Sequence, residues 1–417
     1  MKKILSFVKD FILGAIGLIV LNAAMSLLVM PTIERTLGAE FQGRVLYYTS
    51  LASYLASIGF GLNYGRMKIY AEERDTKNGE FNLMLVGAGV LTADITIIAV
   101  LIKKDTAETS WVFIVLFMLL TILRNYADVA FRLRVDYKKF SLFYCSIGFG
   151  YVLGLLLFRL TGAWILIFFT GELAGLLFVF FTSTLFRPPY FETTPLFPKH
   201  VKGTAVITGS FLLSDFVSAA DRLLIPTLLA GGAVFQGVLY PGDTLTSLFY
   251  YASFVGKIMS LLSTPLNGVL SGYIAREEGG LAPKTFLKII AALFGVVVLV
   301  TGVSYAGSHL FVWLFYPDWY DAVRPLFLLA NAGQVLFFIC NTLMVVVLRY
   351  TEEKNQMIVS VCYIIAFFVT AVPLTLRFGI WGMAWSIFIV NALKFFLFTL
   401  LGYRGLRKGD TNGSEIS

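Results

Sequence analysis

The sequence predicts an all-α integral membrane protein of about twelve transmembrane helices, in two six-helix lobes related by pseudo-two-fold symmetry along the membrane normal. Three observations lead to this fold class: the apolar composition, a series of apolar segments of spanning length, and a difference in charge between alternate loops. The chain has 417 residues, 58% hydrophobic and only 14% charged. Soluble domains have about 45–50% apolar and about 25% charged residues, so no soluble fold could bury this apolar surface.

Twelve apolar segments are long enough to cross a bilayer, which requires about 20 helical residues. They lie at 11–33, 43–64, 81–102, 110–131, 141–160, 164–184, 204–230, 243–271, 286–306, 323–347, 357–376 and 380–402. The N-terminus begins like a signal peptide, but its apolar stretch is too long for one, and we interpret it as a retained first span. A shorter apolar run at 309–316 is expected at the interface, where Trp and Tyr prefer to lie.

Lysine and arginine set the predicted orientation. With the N-terminus in the cytoplasm, and with residues at the span ends counted with the adjacent loops, the inside segments hold 22 of the 33 Lys and Arg residues, the outside loops hold seven and the span interiors hold four. This bias follows the positive-inside rule, and it predicts a multi-pass protein of the cytoplasmic (inner) cell membrane with both termini in the cytoplasm. The formal charge of +8 reflects these basic loops and does not indicate binding to nucleic acid.

A proline-rich segment divides the chain. Residues 185–203 contain four prolines and fall between the sixth and seventh spans, which predicts a semi-rigid cytoplasmic linker. The predicted organisation is an N-terminal lobe at 1–184, this linker, a C-terminal lobe at 204–403 and a cytoplasmic tail at 404–417. An even number of spans in each lobe predicts parallel repeats, related by an axis along the membrane normal.

Two pairs of similar segments support a duplication. PTIERTLGAEFQGRVLY at 31–47 is similar to PTLLAGGAVFQGVLY at 226–240, and LNYGRMKIYAEE at 62–73 is similar to LNGVLSGYIAREE at 266–278. The members of each pair fall at the same point of the two lobes, and the first pair is predicted to form matched outer hairpins. Small and aromatic residues also recur by chance at membrane edges, but two pairs at matching positions favour duplication, which is typical of transporters.

The topology and two segments resemble the multidrug/oligosaccharidyl-lipid/polysaccharide exporter superfamily. Within it, residues 37–73 and 218–240 are similar to the polysaccharide-biosynthesis flippases of O-antigen and capsule type in their glycine and aromatic pattern. The resemblance implies that a lipid-linked oligosaccharide repeat unit, of polyprenyl pyrophosphate type, crosses the cytoplasmic membrane by alternating access of two lobes, for surface polysaccharide assembly. It also implies contacts with membrane lipids and with the polysaccharide polymerase machinery.

Two other functional classes compete with this interpretation. An ion-coupled drug or metabolite antiporter of the same superfamily is the main alternative, and it would require a compact aromatic pocket rather than a wide polar cavity. A membrane enzyme of the same pathway is disfavoured, because the outside loops are short and the only histidines are His200 and His309. We therefore predict a transporter without catalytic residues, metal or cofactor, coupled to H⁺ or Na⁺ if it is driven by an ion.

Ionisable side chains inside spans cost about 2.5–3.5 kcal/mol near the bilayer centre, so each requires a role. Away from the ends of the predicted spans there are nine of them: Asp94, Arg124, Asp128, Glu172, Asp215, Asp221, Arg222, Lys257 and Lys394. Arg124 and Asp128 are four residues apart, which predicts a structural ion pair on one helix face. Lys394 either extends to the interface or faces an internal path.

The seventh and eighth spans carry the predicted substrate path. Asp215 and Arg222 are seven residues apart and share a helix face. Lys257 lies in the next, antiparallel span, where it can pair with Asp215 or Asp221. Either these charges form a static pair between helices, or Arg222, Lys257 and Asp221 face a water-filled path and bind the pyrophosphate of the substrate.

Three carboxylates are candidates for ion coupling, and two amides are candidates for the substrate path. Asp94 and Glu172 lie mid-span without a local partner, and Asp215 is the third candidate. A carboxyl removed from water can bind and release a cation or proton. The alternative is a neutral carboxyl that hydrogen-bonds between helices. Asn22 and Asn63 are assigned to the substrate path, with the joining of helices as their alternative role.

Prolines inside apolar segments predict bent helices. Pro226, Pro265 and Pro373 each remove a backbone hydrogen bond from a predicted span. A bend in the seventh span would suit a gate that opens on alternate sides, although bends also occur in static bundles.

Overall fold

Long apolar helices make up nearly all of the computed structural model, which describes residues 12, 15–73, 77–103, 111–134, 136–261, 282–348 and 353–413. After a π-helical segment at Ala24–Val29, the helices are α1 (Met30–Glu73), α2 (Asn78–Lys103), α3 (Trp111–Ala127), α4 (Val129–Arg132), α5 (Tyr137–Thr161), α6 (Ile165–Thr182), α7 (Phe197–Leu228), α8 (Gly242–Leu261), α9 (Pro283–Phe315), α10 (Tyr320–Val323), α11 (Phe327–Leu348), α12 (Glu353–Phe378) and α13 (Ile380–Gly413). A hairpin of β1 (Ala233–Phe235) and β2 (Val238–Tyr240) separates α7 from α8.

The number of apolar helices agrees with the predicted spans. Among the described residues, nine helices are long and apolar enough to cross a membrane, or ten if the two segments of α7, which break at Ser214, form one span. The candidate Ala15–Met67 has 53 residues, which correspond to about 80 Å of helix. The hydrocarbon core of a bilayer is about 30 Å thick, so this length accommodates two spans. Helix α8 begins the predicted span 243–271, whose remainder lies outside the described residues. The all-α membrane fold class is confirmed.

The chain forms two compact units. The first comprises Met1–Gly38 and Arg44–Ala219, and the second comprises Ala39–Gly43 and Ala220–Ser417. The change from one unit to the other falls inside α7, so the proline-rich segment 185–203 belongs to the first unit. The predicted lobe boundaries around that segment stay a prediction.

Glycines allow close helix packing in the first unit. A Cβ on Gly150 of α5 would lie 2.7 Å from the carbonyl oxygen of Thr170, and one on Gly154 would lie 2.5 Å from the Cα of Ile167, both on α6. The Thr170 hydroxyl donates to the Gly150 carbonyl at 3.0 Å. Small residues and hydroxyls at such contacts are typical of helices that associate inside a membrane, where the hydrophobic effect does not drive association.

The second unit packs apolar side chains of α9 between α11 and α13. One buried cluster contains Phe286, Leu343, Val347, Val359 and Phe398, all at most 4% exposed. A second cluster joins Val297 of α9 to side chains of α11. Outward-facing side chains of the same helices are apolar and exposed, which is the pattern expected of lipid-facing surface.

The segments at 31–47 and 226–240 share one backbone feature and then differ. Gly38 and Gly232 stand at equivalent positions, and their φ angles are 85° and 84°, in the region that glycine adopts without a Cβ clash. Beyond the glycine, residues 41–43 are helical, whereas Gln236 and Gly237, with φ angles of 51° and 80°, form the turn of the β-hairpin. The two segments therefore differ in conformation beyond the glycine, and their assignment to the outer hairpins of two lobes stays a prediction.

Burial explains the different conformations of the two Phe-Gln-Gly sequences. Gln42 is fully buried in the second unit, where it donates to the Tyr316 hydroxyl at 3.2 Å and accepts from the Tyr251 hydroxyl. The equivalent Gln236 is exposed on the hairpin. The interactions of Gln42 hold the first copy as helix, and the second copy has no such buried amide.

Candidate functional site

A buried ion pair joins α7 and α8 in the second unit. The Lys257 ammonium lies 2.7 Å from each carboxylate oxygen of Asp221. The side chains are 14% and 1% exposed, respectively. Of the two partners that the sequence left open for Lys257, the structure shows Asp221.

A second cation of α7 lies beside this pair. The guanidinium carbon of Arg222 is 5.1 Å from the centroid of the Tyr250 ring on α8, an attractive cation–π arrangement. Asp221 and Arg222 are adjacent on α7 and both contact α8. The two cations and the carboxylate that the sequence assigned to the substrate path therefore lie on the same two neighbouring helices.

The amide of Asn331 holds α8 next to Lys257. Its nitrogen donates to the Ala252 carbonyl at 2.9 Å, and its oxygen accepts from the backbone N–H of Gly256 at 2.6 Å. These backbone groups are four residues apart and would bond each other in a regular helix. The amide also donates to Ser308 at 2.9 Å, so one side chain of α11 ties the residue before Lys257 to α9.

Replacing Gly256 with alanine is expected to destabilise the second unit. The added Cβ would lie 2.8 Å from the Asn331 amide oxygen and 3.0 Å from its Cα, and relief of this overlap would displace α8. Overpacking of this kind costs about 1–3 kcal/mol. Thermal unfolding of the purified protein should show a lower Tm for Gly256→Ala. The control is Gly295→Ala on α9, where a Cβ meets nothing within 4 Å; equal Tm values for the two variants would contradict the role of this contact.

Hydroxyl groups extend the polar region of the second unit. In the described part of the chain, the buried hydroxyls of Ser253, Thr301 and Ser304 have no hydrogen-bond partner. Ser253 is one turn from Lys257 on α8, and Thr301, Ser304 and Ser308 follow the helical spacing of one face of α9. Unsatisfied hydroxyls weaken static packing, by about 1–3 kcal/mol each. Polar groups inside a membrane bundle are typical of substrate and ion pathways.

Lys394 lies in an aromatic cage. Its ammonium is 4.5 Å from the centroid of the Tyr363 ring and 5.3 Å from that of Phe337, and it donates to the Asn341 amide oxygen at 3.1 Å. The residue is 5% exposed. The alternative in which Lys394 extends to the membrane interface is therefore wrong.

The predicted pair of Arg124 and Asp128 does not form. Arg124 instead bonds Glu172 of α6, with Nε at 2.6 Å from one carboxylate oxygen and a terminal nitrogen at 3.3 Å from the other. The Tyr151 hydroxyl of α5 donates to the same carboxylate at 3.3 Å. Because α3 ends at Ala127, Asp128 no longer shares a regular helix face with Arg124, so the four-residue spacing does not apply.

Asp128 joins three elements of the first unit. It accepts from Asn63 of α1, from the Tyr144 hydroxyl of α5 at 3.1 Å, and from Arg132 of α4 at 3.0 Å. Asn63 and Asp128 are both fully buried. This geometry supports the alternative in which Asn63 joins helices; its assignment to the substrate path stays a prediction.

The remaining candidates are dispersed. Asp215 accepts from the Ser57 hydroxyl of α1 at 2.6 Å. Asn22 donates to Leu18 of its own helix at 2.8 Å. Asp94 is exposed on the apolar outer face of α2, in line with Val90 and Leu101. The structure does not bring Asp94, Glu172 and Asp215 into one site, and their roles in ion coupling stay predictions.

The prolines do not account for the break in α7. Pro226 lies two residues before the end of that helix, whereas the break is at Ser214. Pro373 lies inside α12, which continues to Phe378. Pro265 and the segment 266–278 lie outside the described residues.

Gln42 and Asn331 are among the buried amides that the sequence interpretation omitted. Both lie in or beside predicted spans, as Asn22 and Asn63 do. The criterion that selected those two residues, an amide within an apolar segment, would also have selected Asn331. The partners of Gln42 are far away in the chain, and no local pattern indicates them.

Comparison with known proteins places this geometry in a known fold. No protein-family model and no curated protein matches the chain. An outward-facing multidrug resistance MATE family transporter of the MOP superfamily matches 96% of this chain and 96% of its own, with a TM-score of 0.65 and 15% identity. The chain has the fold of MATE transporters. An inward-facing multidrug resistance MATE family transporter also matches, over 96% of this chain and 95% of its own, with a TM-score of 0.61 and 13% identity.

A MOP superfamily transporter from Pyrococcus furiosus, described as having a binding pocket of reverse polarity, shares the MATE fold with this chain. It matches 96% of this chain and 94% of its own, with a TM-score of 0.63 and 14% identity. The chain thus has the fold of transporters of the superfamily that it resembles in sequence, and its membership of that superfamily stays a prediction. The finer resemblance to polysaccharide flippases stays a prediction.

Proposed function

We propose that this protein is a secondary transporter that works by alternating access and exports a small organic molecule in exchange for H⁺ or Na⁺. The observation that carries the proposal is the likeness of nearly the whole chain to MATE transporters in both outward-facing and inward-facing conformations. A fold that has been observed open to either side is suited to alternating access.

The ion pair of Asp221 and Lys257 supplies the proposed coupling point. In this structure the carboxylate is neutralised internally, since both of its oxygens contact the ammonium. A proton, Na⁺ or cationic substrate that binds Asp221 has to compete with Lys257. Because one carboxylate cannot hold the coupling ion and a cationic substrate at the same time, binding of one favours release of the other, which is the requirement for exchange.

Aromatic side chains beside the pair favour an organic substrate over an oligosaccharide. Tyr250 lies 5.2 Å from Phe254, and Phe254 lies 4.5 Å from Phe311, measured between ring centroids. Tyr251 stacks on Tyr316 at 3.9 Å. Aromatic faces attract organic cations and apolar rings. A compact aromatic region near a carboxylate is what the antiporter alternative requires.

The lipid-linked oligosaccharide remains the second candidate substrate. Arg222 and Lys257 on neighbouring helices are the observation that favours it, because both side chains bind phosphate groups. The ion pair of Lys257 with Asp221 weakens the case for this substrate, since the carboxylate already neutralises one of the two cations.

Deletion of the gene in its native cell distinguishes the two substrates. The antiporter proposal predicts unchanged surface polysaccharide and an altered tolerance to toxic organic cations, both restored by the wild-type gene. Loss of surface polysaccharide with accumulation of its lipid-linked unit inside the cell would contradict this proposal and support the flippase.

A further inference from the structure

A small cavity in the first unit lies where four helix ends meet. Its volume is about 90 Å³, and its polar lining consists of Arg66, Asn78, Arg134, Ser183 and Thr184. These residues come from the C-terminal part of α1, the start of α2, the turn after α4 and the turn after α6. The charge distribution of the sequence assigns this end of the unit to the cytoplasm.

Arg66 is a buried cation with neutral partners. It is 8% exposed, and its terminal nitrogens donate to the Tyr126 hydroxyl at 2.7 Å and to the Asn78 amide oxygen. Its guanidinium carbon also lies 5.4 Å from the centroid of the Phe81 ring. The Nε atom is buried and has no partner among the described residues. These groups satisfy donors of Arg66, but none of them carries a negative charge.

Arg134 brings a second positive charge to the cavity. Its side chain is exposed and donates to the Thr184 hydroxyl at 2.9 Å. In the described part of the chain, neither Arg66 nor Arg134 forms an ion pair. Burial of a charge without a counter-charge costs several kcal/mol.

Three buried or exposed carboxylates that the structure describes in this region are engaged elsewhere. Asp128 is bound by Arg132, and Glu192 by Lys77. Glu80 accepts from His200 at 2.7 Å and from the backbone of Thr194 at 2.7 Å. Thus two arginines face one cavity, and these three carboxylates already have their own cationic or hydrogen-bonding partners.

We propose that this cavity binds a phosphate group. Two guanidinium groups that converge with hydroxyl and amide groups are the donors that recognise phosphate oxygens. A cavity of about 90 Å³ has room for one tetrahedral oxyanion. The phosphate can belong to a soluble ion or to the headgroup of an anionic phospholipid, because the loop charges assign the cavity to the cytoplasmic ends of the spans, where lipid headgroups lie.

Bound phosphate would stabilise the first unit by joining α1, α2 and the turns after α4 and α6. This role is independent of the proposed exchange reaction, whose charged pair lies in the second unit. Loss of the phosphate site should therefore lower the stability of the protein and leave the ion pair of Asp221 and Lys257 intact.

The test measures thermal unfolding of the purified full chain with two probes. The first probe is inorganic phosphate, compared with sodium chloride at equal ionic strength, in detergent. The second is phosphatidylglycerol in lipid nanodiscs, compared with phosphatidylcholine. We expect saturable stabilisation by at least one probe, with the apparent Kd raised at least about tenfold in Arg134→Gln, a loss of about 1.4 kcal/mol. Stabilisation by phosphate identifies a soluble ion, and stabilisation by phosphatidylglycerol alone identifies a lipid headgroup.

Two further variants complete the test. Arg187→Gln removes an exposed cation that follows the same turn but does not line the cavity, and it should bind both probes as the wild type does. Arg66→Gln should weaken the binding at least as much as Arg134→Gln. The absence of saturable binding to both probes, or equal Kd values for Arg134→Gln, Arg187→Gln and the wild type, would overturn the proposal.

Discussion

Replacing Asp221 with asparagine is expected to abolish exchange and to destabilise the protein. The substitution removes the counter-charge of Lys257, whose ammonium contacts both oxygens of the carboxylate at 2.7 Å. Removal of one partner of a buried pair costs about 3–5 kcal/mol, because the other charge stays buried. Transport in proteoliposomes should fall at least about tenfold, and Tm should fall with it.

The double variant Asp221→Asn with Lys257→Met separates function from stability. It removes both charges, and neutral replacement of a buried pair is often tolerated. We therefore expect Tm to return toward the wild-type value while exchange stays absent. Wild-type exchange in the double variant would show that the pair only locks α7 to α8. Asp318→Asn, at an exposed carboxylate, is the control for loss of an acidic side chain and should transport normally.

The pair of Arg124 and Glu172 is expected to be needed for stability but not for exchange. Glu172 is 1% exposed at its side chain, and its carboxylate contacts Arg124 through both oxygens and Tyr151 through one. Glu172→Gln should lower stability by about 3–5 kcal/mol, since Arg124 is then left without its counter-charge. The measurement is the yield and Tm of folded protein in detergent.

Restoration of transport is the decisive result for this pair. Combining Glu172→Gln with Arg124→Met removes both charges, and we expect both Tm and exchange to recover. A double variant that folds but no longer exchanges ions would show that Glu172 has a role in coupling, as its mid-span position first indicated. Together with the Asp221 series, this comparison assigns one buried pair to structure and the other to transport.

The spans could be predicted from the sequence because bilayer thickness constrains the length of each apolar helix. The structure agrees even where one helix, Ala15–Met67, covers two spans, since the predicted spans 11–33 and 43–64 lie on either side of Gly38, where the helix is interrupted. The neighbours α7 and α8 were also predictable from the short connection between them. That connection limited the partners of Lys257 to Asp215 and Asp221.

Contacts between helices distant in sequence could not be predicted in the same way. The four-residue spacing of Arg124 and Asp128 assumes a continuous helix, and α3 ends between them. The partner of Arg124 is 48 residues further along the chain, and that of Gln42 is more than 200 residues away. Such pairings depend on how the helices pack, which a single sequence does not determine.

Gradient-driven exchange in proteoliposomes tests the central claim most directly. Purified protein is reconstituted, a proton or sodium gradient is imposed, and the movement of a fluorescent organic cation is followed. The account predicts transport of the cation against its own gradient, in exchange for one of the two ions, and its loss in Asp221→Asn with Lys257→Met. No exchange with either ion, together with transfer of a lipid-linked oligosaccharide between the leaflets, would contradict it.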